Sequence, residues 1–348
     1  MSDTTGPPAP ADDGSQACAA TDQQHDWVQD ALGVDPRSYD AGAAPPPHDN
    51  RPDADGDGPS GPPPAPADTA AAAGQTASGT ANVAGQSGWD SVKDLLGIGP
   101  AADRKAVVDK AVAQVSTRTD EQIQAMSALD KAKLVQDITS NGEPKGFDRG
   151  IQKRIYENTP TDPAYLKQQD DQSDQVAKAL ANDPVMQKAQ ANWPAMTDAE
   201  KAATLKTVIA AQSKAMGIPA PEVVVDNGMK EAGQTIDGVY NPDDGKLHIN
   251  MDKDAMASSL PGALSIAAHE NTHHYQQDLV DRLNSGKLQE NDPDYAQAKL
   301  FAVNDAPHGY IGPGEGLASY KQQPVERDAW NNGARTARKI MNGLGAPP

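Results

Sequence analysis

Residues 267–277 read Ala-Ala-His-Glu-Asn-Thr-His-His-Tyr-Gln-Gln. Apolar residues flank this string at helical spacing, from Leu260, Leu264, Ala267 and Ala268 to Tyr275, Leu279 and Leu283. The string therefore sits inside one long helix, running from residue 261 to about residue 284. His269 and His273 are four apart, so they project from one face, one turn from each other. Two imidazoles so placed can bind one zinc ion. Glu270 directly follows the first of them and lies beside the metal without binding it. From there it can take a proton from an activated water and pass it to a leaving amine. With seven His and ten Glu in 348 residues, three fixed positions match by chance only about 0.004 times. That arithmetic disfavours the plainer alternative, a surface pair of histidines on a solvated helix.

A catalytic zinc site takes three protein ligands and keeps one position open. A third His six residues after His273 would fall on Leu279, and Asp278 points to the opposite side of the helix. Downstream candidates are His308, Glu315 and Glu326. Glu326 is preferred, because Pro324 suits the first position of a closing helix and makes Glu326 a first-turn carboxylate on a rigid element. The helix dipole alone also favours an acid there. Asp328 is a candidate to orient a ligand imidazole from behind. Amide hydrolysis also needs a donor for the oxyanion of its tetrahedral intermediate. His308, Tyr310 and Tyr320 lie in the Gly-rich loop before the closing helix, and Tyr310 or His308 is the expected donor. His274 is turned about 100° from His273 and is expected in the core or behind the ligands. His248 is expected on an exposed strand face.

Working outward, Thr197 and Glu200 form a capping box that opens a helix to about residue 216, and Gly217-Ile218-Pro219 stops it. Val223-Val224-Val225 suits a buried strand. Residues 235–240 and 246–251 flank Asn241-Pro242-Asp243-Asp244-Gly245, strong turn chemistry for a hairpin. In its second strand Leu247, Ile249 and Met251 share one face. Upstream, helical spacing predicts helices over 102–115, 120–138, 147–156 and 162–180, with mostly small apolar positions. Nothing in 101–192 clusters chemistry-bearing side chains, and the stretch reads as a helical spacer or adaptor.

Composition divides the chain again. Residues 1–100 hold 14 Pro, 13 Gly and 15 Asp against three basic residues, so they carry −12 of the net charge of −19. Such a segment cannot bury enough apolar surface to offset its ordering entropy, and a disordered acidic arm is expected. Two short helical islands interrupt it, at 27–36 and 89–100. Trp27 is followed by VQDALGVDP and Trp89 by VKDLLGIGP, which reads as composition bias or as a duplicated docking motif for a partner groove. No run approaches the roughly 20 apolar residues of a membrane helix. No signal peptide is visible, and the single cysteine, Cys18, supports no disulfide framework. The absence of a basic stripe argues against nucleic acid as a partner.

The HENTHHYQQ string, with the later pattern of Tyr320, Gln323-Pro324, Glu326 and Asp328-Ala329, resembles the gluzincin branch of zincin metallopeptidases, as found in bacterial secreted effectors and polymorphic toxins. The resemblance covers about residues 195–345. It implies an α+β fold: a zincin-like domain over 193–348, with a small mixed sheet and an active-site helix, after the helical region and the arm. It implies Zn2+ on His269, His273 and Glu326, with Glu270 as general base, acting on a protein or peptide substrate. Strand 246–251 would be the edge along which that substrate lies extended. Export by a specialised secretion machine, a carrier or chaperone docking on the arm, and an immunity protein are further implications. The gap from His273 to Glu326 is longer than in compact thermolysin-like members. Two other readings share the same residues: an endopeptidase for peptidoglycan peptides, and a non-enzymatic binding protein with a structural zinc.

Overall fold

A computed structural model describes residues 104–231 and 234–345. The acidic arm and both of its islands lie outside the described residues. The fold is α+β, mainly helical, with one small mixed sheet.

The first helices are α1 (Arg104–Ser116), α2 (Asp120–Gln124), α3 (Ala128–Thr139) and α4 (Gly146–Glu157). The single helix expected over 120–138 is two. Ser127 adopts extended backbone and its side chain accepts from Asp130 N at 3.0 Å, which starts a new helix. α5 (Pro163–Leu180) and α6 (Pro184–Asn192) begin alike, with Asp162 or Asp183 accepting from the first-turn amides and Pro in the first turn. α7 (Asp198–Met216) opens on the expected capping box and ends at Gly217, whose left-handed φ of 74° suits glycine.

The sheet contains β1 (Glu222–Val225), β4 (Gly238–Asn241) and β5 (Lys246–Ile249) in the order β1-β5-β4; β2 (Lys230–Glu231) and β3 (Gln234–Thr235) form a separate ribbon. β5 runs parallel to β1 and antiparallel to β4. It is therefore the central strand and not the free edge expected at 246–251; the outer strands are β1 and β4. The turn chemistry correctly predicts the hairpin, but β1 occupies the other side of β5. Leu247, Ile249 and Met251 are buried together as expected. His248 is less exposed than expected: it bonds Asp244 at 3.0 Å and stands 3.4 Å from Asp226.

The remaining helices are α8 (Asp254–Ser258), α9 (Leu260–Asn284), α10 (Tyr295–Asp305), α11 (Leu317–Gln322) and α12 (Pro324–Leu344). α9 is buried continuously from Gly262 to Thr272, the mark of a helix at the centre of a fold. The cores run across the expected 192/193 boundary. Val176, Leu180 and Met186 pack with Leu205, Leu247, Leu264 and Ala337, while Tyr165 packs with Tyr275, Leu279 and Phe301. Among the described residues no helix is long and apolar enough to cross a membrane.

Glu200 ties α6 to the start of α7. Its carboxylate accepts from Lys188 Nζ at 2.6 Å and from Thr197 N and Oγ1 at 2.9 Å. Lys188 first, then the Thr197 bonds, hold its carboxyl down to about 2. A depressed folded-state value gives stability that is complete above the ordinary glutamate range and lost as pH falls through the folded value. The melting-temperature difference between wild type and Glu200→Gln should therefore shrink from about pH 5 to about pH 2. A constant difference over that window would show that the charge contributes nothing.

Candidate metal centre

The five residues of the His-Glu-x-x-His string divide their work by helix face. Asn271 faces α7, accepting from Ser213 Oγ at 3.0 Å and donating to Gln212 Oε1 at 3.1 Å. Thr272 faces α12, taking the Asn332 side-chain amide at 3.0 Å. With α9 so anchored, His269 and His273 present their Nε2 atoms 3.0 Å apart. Glu326 comes from the first turn of α12, as its position after Pro324 predicts. Its Oε2 lies 3.7 Å from His269 Nε2 and its Oε1 lies 3.8 Å from His273 Nε2.

These three residues could hold a metal ion, with ligand atoms all within 4.8 Å of one another. Ligands about 2.0–2.1 Å from a tetrahedral ion lie about 3.3–3.4 Å from each other, and the observed separations bracket that value. Glu326 Oε2 is buried without a hydrogen-bond partner, as expected of an oxygen kept for a cation. His269 is buried, and that burial, with the neighbouring His273, holds its imidazole well below the usual histidine value, so it stays neutral. Burial pulls His273 down as well. The Glu326 and Glu270 carboxylates and the Gln276 bond outweigh it and hold His273 above the usual value.

The tautomer of His273 is set from behind. Gln276 donates both amide hydrogens, to Val325 O at 3.0 Å and to Asp328 Oδ2 at 2.9 Å. Its Oε1 therefore faces His273 Nδ1, at 2.9 Å. The imidazole must donate there, which leaves the Nε2 lone pair turned to Glu326 and His269. Asp328 is fully buried, and further donors reach it from α5: Gln169 Nε2 at 2.8 Å and Tyr165 OH at 3.2 Å. Asp328 thus orients an imidazole as expected, but at one remove. Sequence reading missed Gln276, although a residue three after His273 shares its face.

Glu270 is buried beside these three side chains and is not part of the group. Its Oε1 stands 3.9 Å from His269 Nε2, and its Oε2 accepts the Tyr240 backbone N–H of β4 at 3.0 Å. Burial pushes its carboxyl up to about 7; His273 opposes that shift and the Glu326 charge adds to it. Gly238 makes this contact possible, because a Cβ there would stand 3.1 Å from Glu270 Cγ and 3.2 Å from His248 O.

The group opens on a cleft lined by Gly238, Val239 and Tyr240 of β4 and by Asp305, Tyr310 and Tyr320. Tyr310 donates its hydroxyl to Glu326 Oε1 at 2.6 Å, and the Tyr320 ring stands edge-on to it, centroids 6.2 Å apart. Burial and the Glu326 charge hold the Tyr320 phenol well above the usual tyrosine value. Two of the candidate residues lie away from this group. His308 is exposed and does not line the cleft; it is held by its carbonyl, which accepts from Arg149 at 2.9 Å. Glu315 pairs with that same arginine at 2.5 Å and is not near the ligands. Of the downstream candidates Glu326 joins the two histidines, and Tyr310 is hydrogen-bonded to it. His274 lies against Tyr240, ring centroids 4.7 Å apart and planes tilted by 39°, outside the group.

α12 reaches α9 through Gly333, where a Cβ would stand 2.5 Å from Ser265 O and 3.2 Å from His269 Cβ. Gly333→Ala must separate the two helices that carry the ligands. It should cost about 1–3 kcal/mol of stability and weaken metal binding, read by denaturant melts and by Zn2+ titration. Gln276→Ala should lower metal affinity about 10–100-fold; unchanged affinity would show that the His273 tautomer needs no support. Comparison of the chain with protein families, curated proteins and solved structures finds no match, so the reading of this centre stands on its own geometry.

Proposed function

We propose that the chain is a zinc-dependent peptidase of the gluzincin type, hydrolysing an amide bond in a protein or peptide. The observation that carries this reading is the place of Glu270, a buried carboxylate set between three ligand side chains and a strand edge. A structural site has no use for an acid–base group in that position.

His269, His273 and Glu326 supply the two imidazoles and one carboxylate that catalytic zinc favours. A zinc ion held there would polarise the scissile carbonyl and acidify a water molecule. The work of the chain itself follows from its geometry. β4 has no strand paired on its outer side among the described residues. Odd-numbered residues of β4 face β5, as the Asn250 N to Asp237 O bond of 2.8 Å and the register require. The polar backbone groups of Gly238 and Tyr240 therefore point outward over the cleft. An extended substrate would pair with them, its scissile bond crossing Glu270. The Tyr240 N–H already marks that direction by donating to Glu270.

Glu270 then takes the proton of the attacking water and returns it to the departing amine nitrogen. Tyr310 and Tyr320 face it across the cleft, where a phenol can donate to the developing oxyanion. The Tyr320 phenol, held above its usual value by burial and the Glu326 charge, keeps its proton near neutrality and remains a donor.

Glu270→Gln should retain one equivalent of Zn2+ by metal analysis while kcat falls by about 10²–10⁴. Chelation should abolish activity and lower the melting temperature, and added Zn2+ should restore both. Casein and peptidoglycan digests in parallel separate the two substrate classes. A wild type that binds zinc but cleaves neither returns the site to a structural role.

A further inference from the structure

We propose that Arg149, on α4, is a positioning residue for the metal centre: through the backbone of loop 306–316 it places the Tyr310 hydroxyl on the Glu326 carboxylate. The proposal rests on the metal reading of His269, His273 and Glu326.

Arg149, Gln152 and Tyr156 lie on one face of α4 at helical spacing. Between them they take three consecutive carbonyls of the loop. Arg149 Nη1 donates to His308 O at 2.9 Å and Arg149 Nη2 to Tyr310 O at 2.8 Å. Gln152 Nε2 and Tyr156 OH donate to Gly309 O at 2.7 and 2.8 Å. Arg149 also grips the far end of the loop, with Nε and Nη2 on the two Glu315 oxygens at 2.6 and 2.5 Å. The guanidinium thus spends its planar fork on one carboxylate and its remaining hydrogens on two loop carbonyls and on Gln152 Oε1 at 2.9 Å, a pattern that lysine cannot copy.

The loop needs such a grip. His308 has φ 65°, the sole positive value at a non-glycine among the described residues. A conformation so sparsely populated persists only where its surroundings over-determine it. On the other side Gln323 accepts from Ile311 N at 2.9 Å and donates to Ile311 O at 2.8 Å. Tyr310 is therefore bracketed by fixed backbone, and its hydroxyl reaches Glu326 Oε1 at 2.6 Å. Groups that orient a ligand from behind commonly change metal affinity 10–100-fold when removed.

Arg154, on the same helix, gives the control. It binds Asp120 Oδ1 at 2.7 Å and the carbonyls of Val115 and Arg118 at 3.2 and 2.8 Å, so it ties α4 to α1 and α2 and leaves the loop alone. The full chain is titrated with Co2+, following the visible absorption of the bound ion, with Zn2+ competition as a second measure. Arg149→Ala and Tyr310→Phe should each weaken binding about tenfold, and the double variant no further. Arg154→Ala should lower the melting temperature while Co2+ affinity stays within about twofold. If Arg149→Ala does not fold, Arg149→Lys, which keeps the charge without the fork, should itself weaken Co2+ binding several-fold relative to wild type. The proposal is overturned if the Arg149 variants bind Co2+ as wild type does, if the two losses multiply, or if Arg154→Ala weakens binding equally. A wild type that binds neither ion removes the metal reading and this proposal together.

Discussion

The site depends on one antiparallel helix contact with no room to spare. α9 and α12 meet at Ser265 and His269 against Gly333, at Thr272 against Asn332, and at Gln276 against Val325 and Asp328. The first contact sets how closely the helices approach, because a single methyl group at Gly333 would sit 2.5 Å from a backbone oxygen. The last sets where Glu326 arrives, seven residues and about two turns earlier on α12. Two imidazoles on one helix become a three-ligand group only if the other helix holds its distance along that whole length.

That closeness concentrates negative charge. Glu270, Glu326 and Asp328 are all buried within a few residues of the two imidazoles. Buried carboxylates are tolerated only when paired or hydrogen-bonded, and the three meet the demand differently. Asp328 collects donors from Gln276, Gln169 and Tyr165. Glu270 takes one backbone amide and shifts toward its neutral form. Glu326 takes Tyr310 on one oxygen and leaves the other open toward His269. The least satisfied carboxylate is thus the one aimed at the imidazoles, an arrangement that a bound cation would relieve.

Sequence reading recovers what local physics fixes. The four-residue spacing of His269 and His273, the Thr197–Glu200 box and Pro324 at the head of the last helix each act within one or two turns, and each is found where expected. It fails where the answer lies with a distant neighbour. Alternation along residues 246–251 identifies the buried face but not what pairs on either side, so β5 was expected at the edge that β4 occupies. His308 and Tyr310 are equivalent in a list of loop residues. Only the turn at His308, forced by donors from a helix some 150 residues earlier, sends one outward and the other to Glu326.

The same reasoning changes the place of the helices before residue 193. Their polar faces carry Arg149, Gln152, Tyr165 and Gln169, which in isolation read as a solvated surface. Each instead reaches the supports of the candidate metal centre: the first two hold the loop that bears Tyr310, and the last two donate to Asp328. A candidate ligand set drawn from two helices can be written in a short stretch of sequence, but several of the groups that support it come from outside those helices. Here they come from the segment whose composition shows no chemistry at all. Hydrogen bonds to a backbone carbonyl or a buried carboxylate need only a donor of the right length, and no motif records them.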